Sequence, residues 1–369
     1  MDTQTGKLKV GVFFGGRSGE HDVSLVSGTT VMEHLDKGKY DVYAIGIRRD
    51  GSLASPFEAE GMLRKPLPEV GKPFVYLRQA GDGRFLDILG RTEDGEDLDF
   101  DLFFPVLHGT FGEDGTLQGL LDMTGKPYAG CGVLGSSAGM DKDAQKLLFQ
   151  ASGLEVVPWL RFYRPEMEAD REGVVGKAAA EIGFPCFVKP CRLGSSVGIS
   201  KAHDPVELGA ALDEAFDYDY KVLVEKGINA REIECSVLGN HEARTSPPGE
   251  IIPSREFYDY EAKYLDDHSR LLLPADLGDE AAAKVRDLAA RAFLAVGAEG
   301  YARVDFLLDR EGGTLYLSEI NTIPGFTAIS MFPKLWELAG LSLGDLLDEL
   351  IRLALERHAW KAGLKTSRG

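Results

Sequence analysis

The sequence predicts an α/β protein of two or three domains. The chain has 369 residues, which is long for a single hydrophobic core. It opens with the pattern strand, helix, strand, and its middle alternates apolar strand-like runs with helical ones. The last third holds a cleanly alternating strand, a candidate β-hairpin and a closing amphipathic helix. Together these observations favour mixed sheets covered by helices.

The N-terminal region begins with a βαβ unit. Residues 8–14 (LKVGVFF) read as a buried strand, and the glycine-rich turn GGRSGEHD leads into a helix over 23–36. Residues 41–47 (DVYAIGI) complete the unit as a second strand. The segment 50–100 is rich in Gly, Pro and charge and predicts irregular structure or a hairpin, before a further strand within 99–109 (DFDLFFPVLHG).

The character of the chain changes near residue 131, where GCGVLGSSAGMD leads into a helix predicted over 137–151 that carries Lys142. Strands and helices then alternate up to VLVEKGI, and REIECSVLG is a further alternating strand. LGDLLDELIRLALERHAW predicts the last, amphipathic helix. We therefore predict three domains, over residues 1–130, 131–225 and 226–369.

Composition limits the partners that the chain can have. Lys and Arg number 41 against 59 Asp and Glu, giving a net charge of -18, so nucleic acid is not an expected partner and any phosphate site must be local. The sequence has neither an apolar run of membrane-spanning length nor a signal peptide at its start. Its four cysteines lack zinc-ligand spacing, which predicts reduced, mostly buried thiols in a cytoplasmic protein.

The candidate hairpin predicts a metal–phosphate site. YARVDFLL (301–308) and TLYLSEIN (314–321) flank the sequence DREGG. If the loop has an odd number of residues, most simply 311–313, odd positions face odd positions, and Arg303, Asp305, Glu319 and Asn321 share one face. Oxygen-bearing side chains on one face suit a hard cation such as Mg²⁺. An even loop would scatter the four residues, and Glu-x-Asn before Pro-Gly is also typical of an ordinary strand end.

A loop of small residues predicts a second phosphate contact. The strand GFPCFVKP ends in Lys189 and Pro190 and is followed by Gly194, Ser195, Ser196, Val197 and Gly198. Backbone N–H groups without large neighbouring side chains can form a concave anion nest. The loop lacks the Walker pattern, because no Gly-Lys-Ser/Thr follows. A flexible glycine-rich hairpin would account for the same residues.

Eight sequence fragments together resemble one enzyme family. VKPCRLGSSVG, VLVEKGI, ARVDFLL and LSEINTIPG occur in the order typical of ATP-grasp ligases. GGRSGEHDVS, VLHGTFGEDGTLQGLL, GMDK and FYDYEAKY resemble the D-alanine:D-alanine ligases within that superfamily. The resemblance covers essentially the whole chain. It implies a three-domain ATP-grasp fold with an N-terminal doubly wound α/β domain, and an ATP-dependent joining of two D-alanine molecules through a D-alanyl phosphate for peptidoglycan synthesis.

The resemblance also implies which residues bind ATP and metal. Asp305, Glu319 and Asn321 match the ligands of two Mg²⁺ ions, with Mn²⁺ as an alternative and a monovalent cation as an optional addition. The residues that match ATP contacts are Lys142, Lys189, Ser195, Ser196, Val197, Glu225, Lys226, Ile228, Glu232 and Lys263. Glu225, Lys226 and Ile228 correspond to the adenine-binding hinge, and Glu232 to the contact with the ribose hydroxyls.

The substrate residues follow from the same resemblance. Glu20 matches the carboxylate that meets the ammonium of the first D-alanine, although a turn acid or a neighbour of a helix start is the plainer interpretation of its local sequence. His108 matches a pocket histidine, and a structural histidine after a strand is the alternative. Arg303 and the N–H of Gly325 match the groups that face the developing oxyanion. Ser330 matches the contact to the second carboxylate.

A lid is implied by the segment around Lys263 and Tyr264. Tyr264 matches a tyrosine that bonds through Ser195 toward Glu20 and closes the site against water. The family is usually homodimeric, and its partners are the small molecules D-alanine and ATP, without nucleic acid or membrane.

Two other functions compete with D-alanine:D-alanine ligation. A relative that forms depsipeptides or accepts D-serine would differ in its pocket, and lactate-accepting relatives typically carry His at the position of Tyr264. A non-catalytic nucleotide sensor on the same fold would have lost some of the metal and phosphate residues. These five residues are all intact: Lys142, Lys189, Asp305, Glu319 and Asn321.

Overall fold

The structure is a computed structural model that describes residues 6–81, 85–195, 197–252 and 270–365. Mixed helices and strands confirm the predicted α/β class. Within these ranges no helix is both long enough and apolar enough to span a bilayer. All four cysteines are free and buried, as predicted.

The N-terminal part consists of a parallel sheet, an antiparallel sheet and three helices. The strands are β1 (Leu8–Gly15), β2 (Tyr40–Ile47), β3 (Phe74–Gln79), β4 (Leu86–Arg91), β5 (Asp97–Asp99) and β6 (Leu102–Pro105). The helices are α1 (His21–His34), α2 (Pro56–Met62) and α3 (Thr116–Thr124). β1 lies between β2 and β6 and is parallel to both, which confirms the opening βαβ unit. The segment 50–100 contains α2 and the antiparallel sheet β3-β4-β5, so the hairpin alternative is the correct one.

The middle part is built on an antiparallel sheet. Its helices are α4 (Val133–Met140), α5 (Lys142–Ala151), α6 (Arg164–Ala169), α7 (Arg171–Glu181) and α8 (Pro205–Tyr218). Its strands are β7 (Trp159–Tyr163), β8 (Cys186–Pro190), β9 (Ser200–Ala202) and β10 (Lys221–Lys226), in the order β7-β10-β8-β9.

The single helix predicted over 137–151 is wrong, because two helices meet at Asp141. This residue has an extended backbone, with φ -84° and ψ 105°, which ends α4. Its carboxylate accepts a hydrogen bond of 3.0 Å from Ala144 N–H and thereby caps α5. Lys142 is therefore the first residue of a helix, and not a residue within one.

The C-terminal part holds the largest sheet. Its strands are β11 (Ala230–Gly239), β12 (Ala243–Thr245), β13 (Gly249–Ile252), β14 (Arg270–Leu272), β15 (Gly300–Asp309) and β16 (Leu315–Asn321). Its helices are α9 (Asp279–Ala295), α10 (Met331–Leu338) and α11 (Leu343–Ala362). The strand order is β14-β13-β11-β15-β16, with β12 paired to β11.

The loop of the predicted hairpin has an even number of residues, so the odd loop over 311–313 is wrong. Leu308 pairs with Leu315 across β15 and β16, and Asp309 N–H bonds to Thr314 O. Residues 310–313 therefore form the turn, in which Gly313 adopts a left-handed φ of 67°. In this part of the hairpin, even positions face odd ones.

A β-bulge reverses this parity before the polar residues are reached. Phe306 pairs with Leu317, whereas Asp305 pairs with Glu319, so Ser318 is an extra residue on β16. Beyond the bulge, odd positions face odd positions again. The predicted shared face therefore forms despite the even loop.

Buried side chains form several clusters, and one of them crosses the predicted domain limits. The sheet of the middle part has its own core, which runs from Phe162 to Val224 in sequence. By contrast, Val12 and Phe104 of the first sheet pack in one cluster with Phe332 and Leu350 of the C-terminal helices. This shared core packs the first and last parts of the chain against each other. The boundaries of the three domains remain a prediction.

Candidate active site

A cavity of about 550 Å³ lies where the three parts of the chain meet. It is lined by fourteen of the residues predicted from sequence: Glu20, His108, Lys189, Ser195, Glu225, Lys226, Ile228, Glu232, Arg303, Asp305, Glu319, Asn321, Gly325 and Ser330. A second cavity of about 40 Å³ is lined in part by the same residues, Ser195, Glu319 and Asn321 among them, and also by Lys142. Residues distant in sequence are thus brought to one site.

The predicted metal residues lie on the cavity side of the β15–β16 hairpin. Asp305 stands opposite Glu319, and Arg303 opposite Asn321. Arg303 binds Asp305 through two hydrogen bonds, Nε to Oδ1 at 2.7 Å and Nη2 to Oδ2 at 2.6 Å. Asn321 Nδ2 also donates to Asp305 Oδ2 at 2.9 Å. The sequence prediction of a shared face is confirmed by this register.

Arg303 remains charged although it is buried. Burial alone would lower its pKa, but Asp305 and Glu234 raise the pKa well above the ordinary arginine value. Glu234 contributes an ion pair of 2.9 Å to Arg303 Nε. A fixed, charged guanidinium on the cavity wall can stabilise negative charge that develops during a reaction.

The donor set on this wall suits a hard divalent cation. Two carboxylates and one amide, from Asp305, Glu319 and Asn321, supply oxygen ligands, and Mg²⁺ is usually held by one or two carboxylates together with substrate phosphates. No group of three or more His, Cys, Asp or Glu in the described ranges is placed to hold a metal by itself. The residues therefore fit a cation that is shared with a phosphate-bearing substrate.

Helix α5 contacts β16 of the hairpin through two of its side chains. Its first residue, Lys142, donates from Nζ to Leu193 O at 2.7 Å and lies 3.5 Å from Glu319 Oε2. Gln145 Oε1 accepts a hydrogen bond of 2.8 Å from the buried N–H of Ile320, which lies between Glu319 and Asn321. The helix thus fixes the backbone that carries both predicted ligands.

Glu225 lies between two lysines at the predicted adenine hinge. Its Oε1 accepts from Lys189 Nζ at 3.2 Å, and its Oε2 lies 3.2 Å from Lys146 Nζ. Burial would raise the pKa of Glu225, yet Lys146 and Lys189 together hold that pKa below its ordinary value. The carboxylate is therefore ionised and can accept hydrogen bonds.

The small-residue loop approaches Glu20. Ser195 has a left-handed φ of 48°, which is rare for a residue with a side chain, and its Oγ donates to Glu20 Oε1. A Cβ added at Gly194 would lie 2.4 Å from Glu20 Oε2, so a side chain there would displace the Glu20 carboxylate. The N–H of Val197 donates to Gly194 O at 3.1 Å, and Val197 lies outside the cavity wall.

Glu20 is a buried acid at the start of α1, and its side chain makes no cap hydrogen bond. A second buried acid, Glu113, accepts hydrogen bonds from Gly109 N–H at 2.7 Å and from Ile323 N–H at 3.1 Å. Burial and the nearby charge of Glu20 raise the pKa of Glu113. The pKa of Glu113 is raised to about 8, so this acid is mostly protonated near neutral pH, and Glu20 is the carboxylate of this corner that can meet an ammonium group.

His108 is neutral and fixed in one orientation. Its Nδ1 donates to Ile323 O at 2.9 Å, so Nε2 accepts from Ser27 Oγ at 2.9 Å. Burial lowers the pKa of His108 to about 4. The histidine therefore links the chain just after β6 to the segment after β16 and also lines the cavity. Its place fits both the pocket interpretation and the structural interpretation of its sequence.

The segment after β16 forms the remaining wall. Ser330 Oγ accepts from Thr327 N–H at 3.0 Å and lies 2.8 Å from Thr327 Oγ1. A Cβ at Gly325 would lie 2.7 Å from Ser330 Oγ, so the glycine allows this tight turn. Both residues line the large cavity.

Three predicted site residues, Ser196, Lys263 and Tyr264, lie outside the described residues. Four residues that the sequence reasoning missed belong to the site: Glu113, Gln145, Lys146 and Glu234. Lys146 and Gln145 could have been found from the helical spacing that places them on the same side as Lys142. Glu234 lies two positions after Glu232 in an alternating strand. Nothing in the sequence indicates that Glu234 pairs with Arg303, so it could not have been singled out.

Comparison with known proteins gives a consistent result. The family model for the D-ala D-ala ligase N-terminus matches residues 9–131, and the one for the D-ala D-ala ligase C-terminus matches residues 148–352. The chain is 47% identical over 362 residues to a D-alanine–D-alanine ligase from Heliobacterium modesticaldum, covering 98% of each.

Two solved structures have the same fold. One is a D-alanine–D-alanine ligase from Coxiella burnetii, with a TM-score of 0.80, 34% identity and 96% of each chain covered. The other is the VanG D-Ala:D-Ser ligase from Enterococcus faecalis, with a TM-score of 0.78 and 36% identity. That comparison covers 95% of this chain and all of the other (100%).

Proposed function

Since the chain belongs to the D-alanine–D-alanine ligase family, we propose that the 550 Å³ cavity is the place where it joins two D-alanine molecules with ATP. The reaction releases ADP and phosphate and yields D-alanyl-D-alanine, a peptidoglycan precursor. The observation that carries this placement is the convergence of Glu20, Lys189 and the Arg303–Asp305 pair on one cavity.

ATP is proposed to lie between the middle and C-terminal parts. The Glu225 carboxylate, which both neighbouring lysines keep ionised, would accept a hydrogen bond from the adenine amino group. The backbone of Lys226 and Ile228 lines the same wall and Glu232 lies near the ribose position. Lys142 and Lys189 would exchange their contacts with Leu193 O and Glu225 for the phosphates.

Asp305, Glu319 and Asn321 would hold two Mg²⁺ ions, or Mn²⁺, which supply charge neutralisation for the transferred phosphate. The oxygen-rich face of the hairpin supports this assignment. Here the protein's own task is positioning, because the backbone of the ligands is fixed by Gln145 and their spacing by the strand register.

The first step is the formation of D-alanyl phosphate. Glu20 would bind the ammonium of the first D-alanine and so direct its carboxylate toward the phosphates. A carboxylate oxygen attacks the γ-phosphorus, and the bond to the departing ADP breaks. Lys142 and Lys189 would neutralise charge as it shifts to the leaving group.

The second step forms the peptide bond. The second D-alanine, placed by a contact of its carboxylate with Ser330, attacks the acyl carbon through its neutral amine. Arg303 and Gly325 N–H would stabilise the oxygen of the tetrahedral intermediate, which collapses and expels phosphate while the amine loses its proton. His108 is neutral and buried, and its role is to orient the wall of the pocket.

The experiment that tests this function compares acceptors. Purified protein with ATP and Mg²⁺ should release phosphate with D-alanine alone at a rate far above that with D-lactate, D-serine or L-alanine. Phosphate release with L-alanine equal to that with D-alanine would contradict the proposal.

A second candidate acceptor is D-serine. The structural similarity to the Enterococcus faecalis D-Ala:D-Ser ligase, at 36% identity, supports testing it. Tyr264 would act as the lid residue that favours D-alanine, an assignment that rests on the sequence resemblance. The monovalent cation, the cytoplasmic location and the homodimer also remain proposals, and light scattering of the purified protein tests the last of these.

A further inference from the structure

Among the lysines that the structure describes in the active-site region, Lys146 is the most deeply buried. Its side chain is 2% exposed, and it lies outside both cavities. Its Nζ lies 3.2 Å from Glu225 Oε2 and 5.6 Å from the centre of the Trp159 ring. Burial lowers the pKa of Lys146 and the Glu225 carboxylate opposes that shift, so the ion pair with Glu225 is what favours the charged form of this buried amine.

The two lysines on Glu225 differ in their access to the cavity. Lys189 lines it and has 16% of its side chain exposed, so it can turn from Glu225 to a phosphate. Lys146 has no such access, because its buried side chain extends from α5 and lines neither cavity. If Lys189 leaves Glu225 for the phosphates of ATP, as proposed above, Lys146 would be the counter-ion that stays with Glu225.

We propose that Lys146 is a positioning residue that keeps Glu225 ionised and correctly oriented for the adenine amino group, and thereby sets the preference for ATP over nucleotides with a 6-oxo purine. This inference rests on the proposed function, because it assumes that Glu225 meets the base. An ionised carboxylate accepts a hydrogen bond from the 6-amino group of adenine and repels the 6-oxo group of hypoxanthine.

Helix α5 gives Lys146 this role through its geometry. Lys142 and Lys146 are four residues apart and therefore lie on the same side of the helix, with Gln145 beside them. Lys142 reaches the predicted phosphate side, Gln145 fixes the metal-ligand strand and Lys146 reaches the predicted adenine side. One helix thus positions three parts of the nucleotide site.

The test compares Lys146→Met with the wild-type protein. The change removes the charge while keeping a similar length of side chain, so Glu225 would retain a proton when Lys189 moves to the phosphates. A protonated Glu225 can donate to a 6-oxo group. We expect the ratio of kcat/KM for ATP to that for ITP to fall at least about tenfold, from loss of a charge-assisted contact.

Further measurements separate positioning from general damage. The KM for ATP should rise more than kcat falls, and calorimetric binding of ADP should weaken in parallel. The conservative variant Lys146→Arg should recover part of the ATP/ITP ratio. Lys72→Met is a matched control. Lys72 is a largely covered lysine whose Nζ lies 3.3 Å from Glu60 Oε1, and it lines neither cavity.

The outcomes are distinguishable. If Lys146→Met is folded by circular dichroism and keeps the wild-type ATP/ITP ratio, the inference is wrong while the ligase function stands. If Lys146→Met does not fold, Lys146→Arg and Lys146→Gln decide, because a positioning role predicts a lower ratio for Gln than for Arg. If the wild-type protein forms no dipeptide from ATP and D-alanine, the proposed function itself fails.

Discussion

Glu20 shows how a single side chain can be prepared for a substrate. It is 7% exposed, it is hydrogen-bonded by Ser195, and it carries its charge next to the second buried acid Glu113. The charge of Glu20 favours the protonated form of Glu113, and a cation bound at Glu20 would offset that charge. The ammonium of D-alanine is such a cation.

Replacing Glu20 by Gln should therefore weaken the binding of the first D-alanine more than that of ATP. Loss of one charge-assisted contact, worth about 1.5–3 kcal/mol, predicts a rise of roughly ten- to a hundredfold in the first-site KM for D-alanine. Initial-rate kinetics at saturating ATP measure it. Asp22→Asn is the control, since Asp22 is exposed in the same helix, pairs with Arg49 and does not line the cavity. Equal losses for ATP and D-alanine would indicate a structural role for Glu20.

The lowered pKa of His108 is expected to make the free energy of unfolding depend on pH. Burial lowers its pKa to about 4 in the folded protein, against an ordinary value of 6.5. Between these values the unfolded chain binds more protons than the folded one, so the free energy of unfolding falls as the pH falls. This contribution is complete above pH 6.5 and amounts to a loss of about 2 kcal/mol at pH 5, from a difference of about 1.5 pKa units.

The measurement is urea unfolding at pH 7 and pH 5. Wild-type protein should lose more stability between the two than His108→Gln, in which the titrating ring is absent. The Gln variant is also expected to be less stable than wild type at pH 7, because the bonds to Ser27 and Ile323 are altered. An identical pH dependence of the two proteins would show that His108 is accessible to protons in the folded state.

Helix α5 is the element on which the geometry of the site depends. Its capping residue Asp141 is also bound by Lys221, and Gln145 holds Ile320 between the two predicted metal ligands of β16. The spacing of Lys142, Gln145 and Lys146 makes these contacts from one side of the helix.

Gln145→Leu should uncouple the ligand strand from this helix. The buried N–H of Ile320 would lose its acceptor, which costs about 1–3 kcal/mol of unfolding free energy. Displacement of Glu319 and Asn321 should raise the Mg²⁺ concentration that gives half-maximal rate, with a smaller effect on the KM for D-alanine. Gln118→Leu offers a control, since Gln118 is a buried amide that donates to Gly112 O outside the cavity. An unchanged Mg²⁺ dependence in Gln145→Leu would contradict this role of α5.

Sequence reasoning predicted the elements better than it predicted their junctions. Alternation identified β15 and β16, in which buried and partly exposed positions alternate over much of the strand. It also identified β11, although all residues of that strand from Ile233 to Gly239 are buried. The bulge at Ser318 shifts the buried positions of β16 from Leu315 and Leu317 to Ile320, a change of phase that the prediction did not take into account. The break between α4 and α5 was missed because Asp141 lies within a continuous helical pattern and acts as a cap only through its side chain.

The molecule as a whole joins a nearly independent middle sheet to a body formed by both ends of the chain. Arg357 of α11 shows this union, because its buried guanidinium donates to Tyr128 O and Gly130 O and lies 3.4 Å from Glu299. Contacts between distant segments, such as that of Lys146 with Glu225, were not predictable from sequence, whereas the residues that resemble family motifs were. The cavity lies at the meeting of these parts, where a substrate contacts all of them.

The transfer of oxygen from D-alanine to phosphate tests the central claim most directly. D-alanine labelled with ¹⁸O in its carboxylate is incubated with the protein, ATP and Mg²⁺, and the released phosphate is analysed by mass spectrometry. An acyl phosphate formed in this cavity predicts one dipeptide for each phosphate released, and one ¹⁸O atom in each of those phosphates. Dipeptide formation with unlabelled phosphate, or phosphate release without dipeptide, would contradict the account.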